Sequence, residues 1–424
     1  MATTGKIAEV LFESTLETYE AQDKMLDLVD FVQPDAATMQ NSNNIIWRPY
    51  QQHAPILDGF DLTGQEQDII EECYPAVLGT PKNDFIKQRA DDLRDTQFWE
   101  KRGAQSGRQQ ATEQNKLIAN AIAIGGSKFY RSNDTSGYEF VSEAQATLDE
   151  TQQVDNGRCF FFNDRDNRKF ALDLAGRQTL QGRPDAVWSS GQVANDVAGF
   201  DIFKASFLPN LAGGADPAAT VTGDQSFKPE GGTPPGNTLL VTNVDCRLAN
   251  IPVSASGSYE VGDKVQFENS SVPVQSIGLA DKNETGQAMT FTIVGKPDGT
   301  TITVFPKPIA ADDSGLTALE KSYANVDTQI LNGATVTRLN TDTVNKTNLF
   351  FEKGSVEVLG GTLPVNLFAE FDGMKVISET MSNGQEMYML YDGEISDLTF
   401  RWRIMSWYGV TVANPQNCGV ALTF

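Results

Sequence analysis

The stretch from Arg89 to Tyr130, RADDLRDTQFWEKRGAQSGRQQATEQNKLIANAIAIGGSKFY, constrains this chain more than any other. It reads as an acidic, cap-rich entry followed by one unusually long helix. Asp95 or Thr96 serves as N-cap, Glu100 sits in the first turn where the helix dipole favours an anion, and Gly125-Gly126 supply a left-handed stop. Such a helix is on the order of 40 Å long at ~1.5 Å per residue. Wound at ~100° per residue, Trp99, Gly103, Ser106, Gln110, Leu117, Ala121 and Ile124 share one side. That side is mostly small and weakly apolar. Gly103 and Gly107 each cost a helix about 1 kcal/mol relative to Ala, so another element has to press closely on it.

What that helix organises is bounded by composition. A chain of 424 residues is long for one simple core and suggests two or three domains. The 33 basic and 56 acidic residues give a formal charge of -23, which argues against a surface that neutralises nucleic-acid phosphates. No secretory leader and no run of about 18 apolar residues is seen, so a soluble protein made in the cytoplasm is expected, with no membrane contact. Cys73, Cys159, Cys246 and Cys418 are widely spaced and read as four reduced structural thiols.

In chain order, an amphipathic helix is expected from Ile7 to Val32. Ile7, Val10, Leu11, Met25, Leu28, Val29 and Val32 lie along one face, with only Ser14, Thr18 and Ala21 at its middle. Glu9, Glu13, Glu17, Glu20, Asp23 and Asp27 line the other. The acidic stripe can meet solvent or a basic partner. After Pro34, short apolar runs broken by prolines suit an extended two-stranded loop, with turns near Asp58-Gly59 and Thr63-Gly64. His53, the only histidine, sits in that loop beside no nucleophile motif, so neither a Ser-His-Asp triad nor a histidine-rich metal site is expected.

From Ser132 to Asp201 the pattern is mixed: a helix over 139–152, a buried strand at CFFFN 159–163, then a turn and helix from Asp164 to Leu180. NDRDNRKF shows the first spacing of a calcium loop but puts Arg168 and Lys169 where a ligand and a glycine are required. GGSK at 125–128 fails as a phosphate loop. The adjacent carboxylates Asp91-Asp92 and Asp312-Asp313 read as surface or interface charges. No catalytic residue, cofactor or metal site is expected.

Composition changes near Gly213. From there to about Asn345 short alternating segments such as GDKVQF, AMTFTIVG and TTITVF, with a turn at Asp298-Gly299, suggest a closed barrel or sandwich of about 120 residues. The tail from Thr347 returns to strands. Alternation at Leu398, Phe400, Trp402 and Ile404 argues for a long hairpin with one buried face.

The segments AATMQNSNNIIWRP (36–49), GFDLT (59–63), NDFIKQRADDLRD (83–95), AGFD (198–201), QSFKP (225–229), NVDCRLA (243–249), GDKVQF (262–267), KPIAADD (307–313), YANVD (323–327) and SWYGV (406–410) run in order along nearly the whole chain. In these the sequence closely resembles the major coat proteins of P-twenty-two-like short-tailed bacteriophages, which share the tailed-phage Hong Kong ninety-seven capsid fold. The resemblance implies an α+β fold with a spine helix and an inserted β-barrel domain. It divides the chain into an N-terminal arm (1–35), an extended loop region (36–85) and a peripheral domain with the spine helix (86–130). An axial domain (131–222), the inserted barrel (223–345), the axial return (346–385) and peripheral strands (386–424) follow.

The function so implied is that of a major capsid protein with no enzymatic activity. Its hexamers and pentamers, with a scaffolding protein and a portal protein, build an icosahedral head around double-stranded DNA that is not specifically bound. It is located in the virion capsid, after assembly in the bacterial host cytoplasm. Alternatives are a non-viral encapsulating shell of the same fold, a surface β-domain binding protein, and a metal-dependent hydrolase, for which no clustered ligands are visible. Asp245 and Arg247, on an exposed loop of the insert, are expected to pair with a neighbouring capsomer. Glu9, Glu13, Glu17 and Glu20 are expected to face the scaffolding protein.

Overall fold

The computed structural model describes the chain apart from residues 1, 36–37, 40–42, 51–59, 61–62, 64–69, 71, 90–95, 133–136, 151–156, 177–191, 215–218, 231–244, 342, 366–374, 395, 397 and 424. His53, the expected turn at Asp58-Gly59, Gly64 of the second expected turn, the N-cap candidate Asp95 and the pair Asp91-Asp92 therefore lie outside the described residues. The chain divides into two compact units.

The first unit takes residues 1–46, 76–118 and 356–411. Its sheet runs Lys375–Thr380, Glu386–Glu394, Thr399–Ser406, Lys82–Arg89, all antiparallel, with Trp402 opposite both Tyr391 and Ile86. Two helices complete its core: α1, Ala2–Gln22, and the long helix α2, Thr96–Gly125, whose final residues belong to the second unit. Leu11, Phe12, Leu16 and Tyr19 of α1 join Trp99 and Ala111 of α2 and Met387, Met389, Trp402 and Ile404 of the sheet.

The element pressed against Gly103 and Gly107 is α1. A Cβ at Gly103 would stand 2.5 Å from the Leu11 carbonyl oxygen, and one at Gly107 would overlap that of Thr15. Two sequence expectations change here. The first helix stops at Gln22, after which come a short 3-10 turn, Leu26–Leu28, and a strand, Asp30–Val32. Its buried stripe is Ala8, Leu11, Phe12, Thr15, Leu16 and Tyr19, one step round from the predicted face. On α2, Trp99, Gly103, Ser106 and Gln110 are buried as predicted, but the stripe continues through Gln114, Ile118 and Ile122 while Ile124 is exposed. The buried amides Gln114 and Asn115 carry the stripe where apolar counting skips them. Leu398 is 66% exposed and precedes its strand, so the inward alternation starts later than predicted.

The second unit takes 47–75, 119–355 and 412–424. Its six-stranded sheet is ordered Lys128–Ser132, Cys418–Thr423, Asn348–Glu352, Arg158–Phe162, Phe200–Lys204, Gln192–Val197. The CFFFN run lies in this sheet and is buried throughout, as a strand covered on both faces must be. Phe160, Phe162, Phe200 and Phe350 form its core with Phe140 of α3, Gly137–Asp149, and Phe170 of α4, Asp164–Gly176. The failed calcium run is a helix start: Asn163 Oδ1 accepts the Arg165 and Asp166 amides, both at 3.0 Å.

Within this unit the insert is bounded by a two-stranded neck, Asn210–Leu211 against Asn345–Lys346. Its strands follow the order Ala219–Thr220, Thr335–Arg338, Lys264–Asn269, Phe291–Asp298, Thr301–Phe305, Ala249–Pro252. An antiparallel bridge between Val221 and Val253 joins the two ends into a closed barrel. Tyr259, Val265, Phe267, Phe291, Ile293, Ile302 and Val304 fill it. Asp313 corrects the reading of surface charge. It is buried and accepts from Ser226 Oγ at 2.5 Å and from the Gly315 amide at 2.8 Å.

Candidate functional site: the joints of the inserted barrel

Two buried cations fix the barrel within the second unit. Arg247 stands just before the barrel strand Ala249–Pro252 and is 6% exposed. Its guanidinium grips Asp245 in a fork, Nε to Oδ1 and Nη2 to Oδ2 both at 2.8 Å. Nη1 donates to the Val412 and Ala413 carbonyls of the returning chain. The Tyr74 and Phe305 rings lie 4.4 and 5.0 Å from it. One side chain thus ties the root of the extended loop, the barrel and the C-terminal strands. Charge-assisted fork geometry and ring stacking suit arginine and would not suit lysine.

Asp245 and Arg247 thus pair with each other within the chain, with the guanidinium buried instead of standing on an exposed loop.

Lys264 is the second joint. It opens the strand Lys264–Asn269, is fully buried, and its Nζ donates to the carbonyls of Ala123 at 2.8 Å and Gly126 and to Thr292 Oγ1. The ammonium therefore caps the C-terminal end of α2, where unpaired carbonyls and the dipole favour a cation. Burial pushes its pKa down to about 7, partly offset by the fields of Cys418 and Asp263. Gly126 corrects the predicted stop. Its φ is not in the left-handed region, and a Cβ there would stand 2.9 Å from the Cys418 carbonyl carbon and oxygen. Close approach, not handedness, requires glycine here.

Beside the Arg247 joint, Ile70 inserts into a cluster with Ile277, Ile309, Leu316 and Tyr323. Tyr323 Oη accepts from the Ile70 amide at 2.9 Å and donates to its carbonyl at 3.1 Å. Burial pushes the Glu72 carboxyl up to about 8, with Lys307 pulling the other way. Sequence reading missed Lys264, Glu72 and Tyr323. Lys264 sits in GDKVQF, an alternation that marks Val265 and Phe267 as inward but gives no sign that the lysine reaches a helix end.

The remaining sequence-predicted residues lie in the first unit. Glu9, Glu13, Glu17 and Glu20 are all exposed on α1, opposite its buried stripe. Glu20 Oε1 accepts from the Ser382 amide at 2.9 Å. Among the described residues no group of three or more His, Cys, Asp or Glu side chains could hold a metal ion.

Residues 1–423 match the family model described as P22 coat protein, gene protein 5. The chain belongs to that family. It is a bacteriophage major capsid protein, a structural protein whose copies assemble into an icosahedral head. Solved structures with a similar fold include the capsid of cyanophage P-SCSP1u, at 10% identity and a TM-score of 0.44, covering 94% of this chain and 86% of that one. The head of Helicobacter pylori bacteriophage KHP40 is similar at 7% identity, TM-score 0.42, covering 95% and 90%. A virus-like particle from Pyrococcus furiosus is similar at 8% identity, TM-score 0.41, covering 97% and 98%.

Proposed function

We propose that this coat protein assembles as hexamers and pentamers with a scaffolding protein and a portal protein, in the host cytoplasm, into a head that encloses double-stranded DNA without gripping it. The acidic surface supports the last point: a net charge of -23 offers phosphates no counter-ions to replace. The observation that carries the scaffold reading is the arm. Helix α1 is seated by Leu11, Phe12, Leu16 and Tyr19, which leaves Glu9, Glu13, Glu17 and Glu20 available to a basic segment of the scaffolding protein. Asp245 and Arg247 act in this reading by holding the barrel.

Exposed pairs are individually weak, but several raise the encounter rate and are screened as the Debye length falls from ~10 Å at 0.1 M salt to ~3 Å at 1 M. Changing the four glutamates to Gln lowers scaffold incorporation at low salt and leaves the coat protein folded. Quantifying scaffold in sedimented, electron-microscopically closed shells tests this. Normal incorporation by the quadruple variant at every salt concentration defeats the scaffold reading, while absence of closed shells from the wild type would defeat the capsid assignment itself.

A further inference from the structure

Where α1 ends, Tyr19, Asp23, Gln114, Asn115, Gln385 and Tyr408 form a buried polar cluster within the first unit. Asn115 of α2 holds the chain as it leaves the helix. Its Oδ1 accepts from the Met25 amide at 3.2 Å and its Nδ2 donates to the Gln22 carbonyl at 3.3 Å. Tyr19 Oη bonds both Gln114 and Gln385. Asp23 lies among them at 7% exposure, its Oδ1 accepting the Leu26 amide at 3.4 Å. Its Oδ2 is shut away from solvent with no hydrogen-bond partner among the described residues, as is the hydroxyl of Tyr408.

Beyond the backbone amides of Leu26 and Met25, the surroundings offer an anion little. On its own segment Asp23 meets the like charge of Asp27 and the Tyr19 phenol. Helix α2 contributes the uncharged amides Gln114 and Asn115, and Glu113, whose field reaches Tyr408; Gln385, just before the strand Glu386–Glu394, and Tyr408 complete the surroundings. The adjacent cation, Lys24, is half-buried and makes no ion pair with Asp23 among the described residues. An ionised carboxylate in such a place bears its full desolvation cost, and a proton on it removes that cost.

We propose that Asp23 is a proton-operated switch on the seating of the N-terminal arm: neutral, it lets residues 22–29 stay packed against α2; ionised, it drives them off. The glycine contacts of α1 with α2, at Leu11, Ser14, Thr15, Thr18 and Tyr19, all precede the segment that moves. Burial raises the Asp23 carboxyl from 3.8 to about 7, against the pull of the Leu26 amide and with a smaller rise from Asp27. Between those values the seated arm binds more protons than the released one, so seating weakens as pH rises through this window and levels off above about 7. A fall of pH below about 7 would thus alter how the acidic face of α1 is presented, whichever partner that face meets.

Hydrogen exchange of the full-length protein, corrected for the intrinsic pH dependence of exchange, tests the switch at the amides of Met25, Leu26, Leu28 and Val29. Their protection should fall by roughly tenfold per pH unit from about pH 5 to about pH 7 and then plateau. In Asp23→Asn, whose side chain mimics the protonated acid in shape, protection should be independent of pH. A flat wild-type profile overturns the proposal, as does an Asp23→Asn profile with the wild-type slope. Should that variant fail to fold, the wild-type slope alone decides.

Discussion

Lys264 and Arg247 reach the same end, a buried cation holding the barrel, by different electrostatics. Arg247 takes its counter-charge with it, since Asp245 lies two residues away and fills the fork of the guanidinium. Lys264 contacts no carboxylate; its charge is met by the dipoles of carbonyls at the end of α2 and by a threonine hydroxyl. Its folded pKa of about 7 lies below the ordinary 10.5, so the unfolded chain binds the extra proton between these values. Stability through this group therefore rises with pH across that window. Lys264→Met leaves several buried acceptors unpaired and should cost about 1–3 kcal/mol. Urea unfolding at pH 7 and pH 10 should show the wild type gaining more stability between the two than the variant does. Equal gains would mean that Lys264 titrates normally.

Helix α2 needs its glycines because another backbone occupies the space of their side chains. In an exposed helix Gly→Ala stabilises by about 1 kcal/mol. At Gly107 the new methyl would overlap the Thr15 carbonyl oxygen and press on Tyr19 N at 3.1 Å, both rigid backbone of α1. Gly107→Ala is therefore expected to destabilise by roughly 1–3 kcal/mol, the range for overpacking. Thermal unfolding with proteolytic nicking of the arm reads it out; a raised melting temperature with an intact arm would contradict the close packing. The sign reversal is legible in part from sequence: two glycines four residues apart in a long helix announce a visitor, but not which element it is.

At the scale of the molecule, the barrel is closed by the bridge between Val221 and Val253, so its first strand, Ala219–Thr220, is part of the closure. A closed sheet with its own core and a narrow neck satisfies the conditions for folding alone. A fragment spanning 210–346 should unfold cooperatively with well-dispersed amide resonances. One limited to 223–345, the span implied by the family resemblance, loses that strand and should melt lower. Equal melting of the two would show that the Val221 bridge is dispensable, and poor dispersion in both would refute independent folding.

Sequence alone determined whatever follows from local periodicity and local chemistry. The long helix, the all-buried CFFFN strand, the alternating insert, the turn at Asp298-Gly299 and the acid stripe of α1 are of this kind, because each residue's preference there is set by neighbours a few positions away. The order of quoted segments likewise carried the family, which the match over residues 1–423 established. Tertiary structure decided the rest. Arg247 is turned inward because Val412, Ala413, Tyr74 and Phe305, remote in the chain, surround it. Lys264 and Asp23 look like ordinary charged residues in the string. Their unusual proton affinities come from desolvation by elements that only folding brings near, and burial by distant chain has no local pattern to announce it.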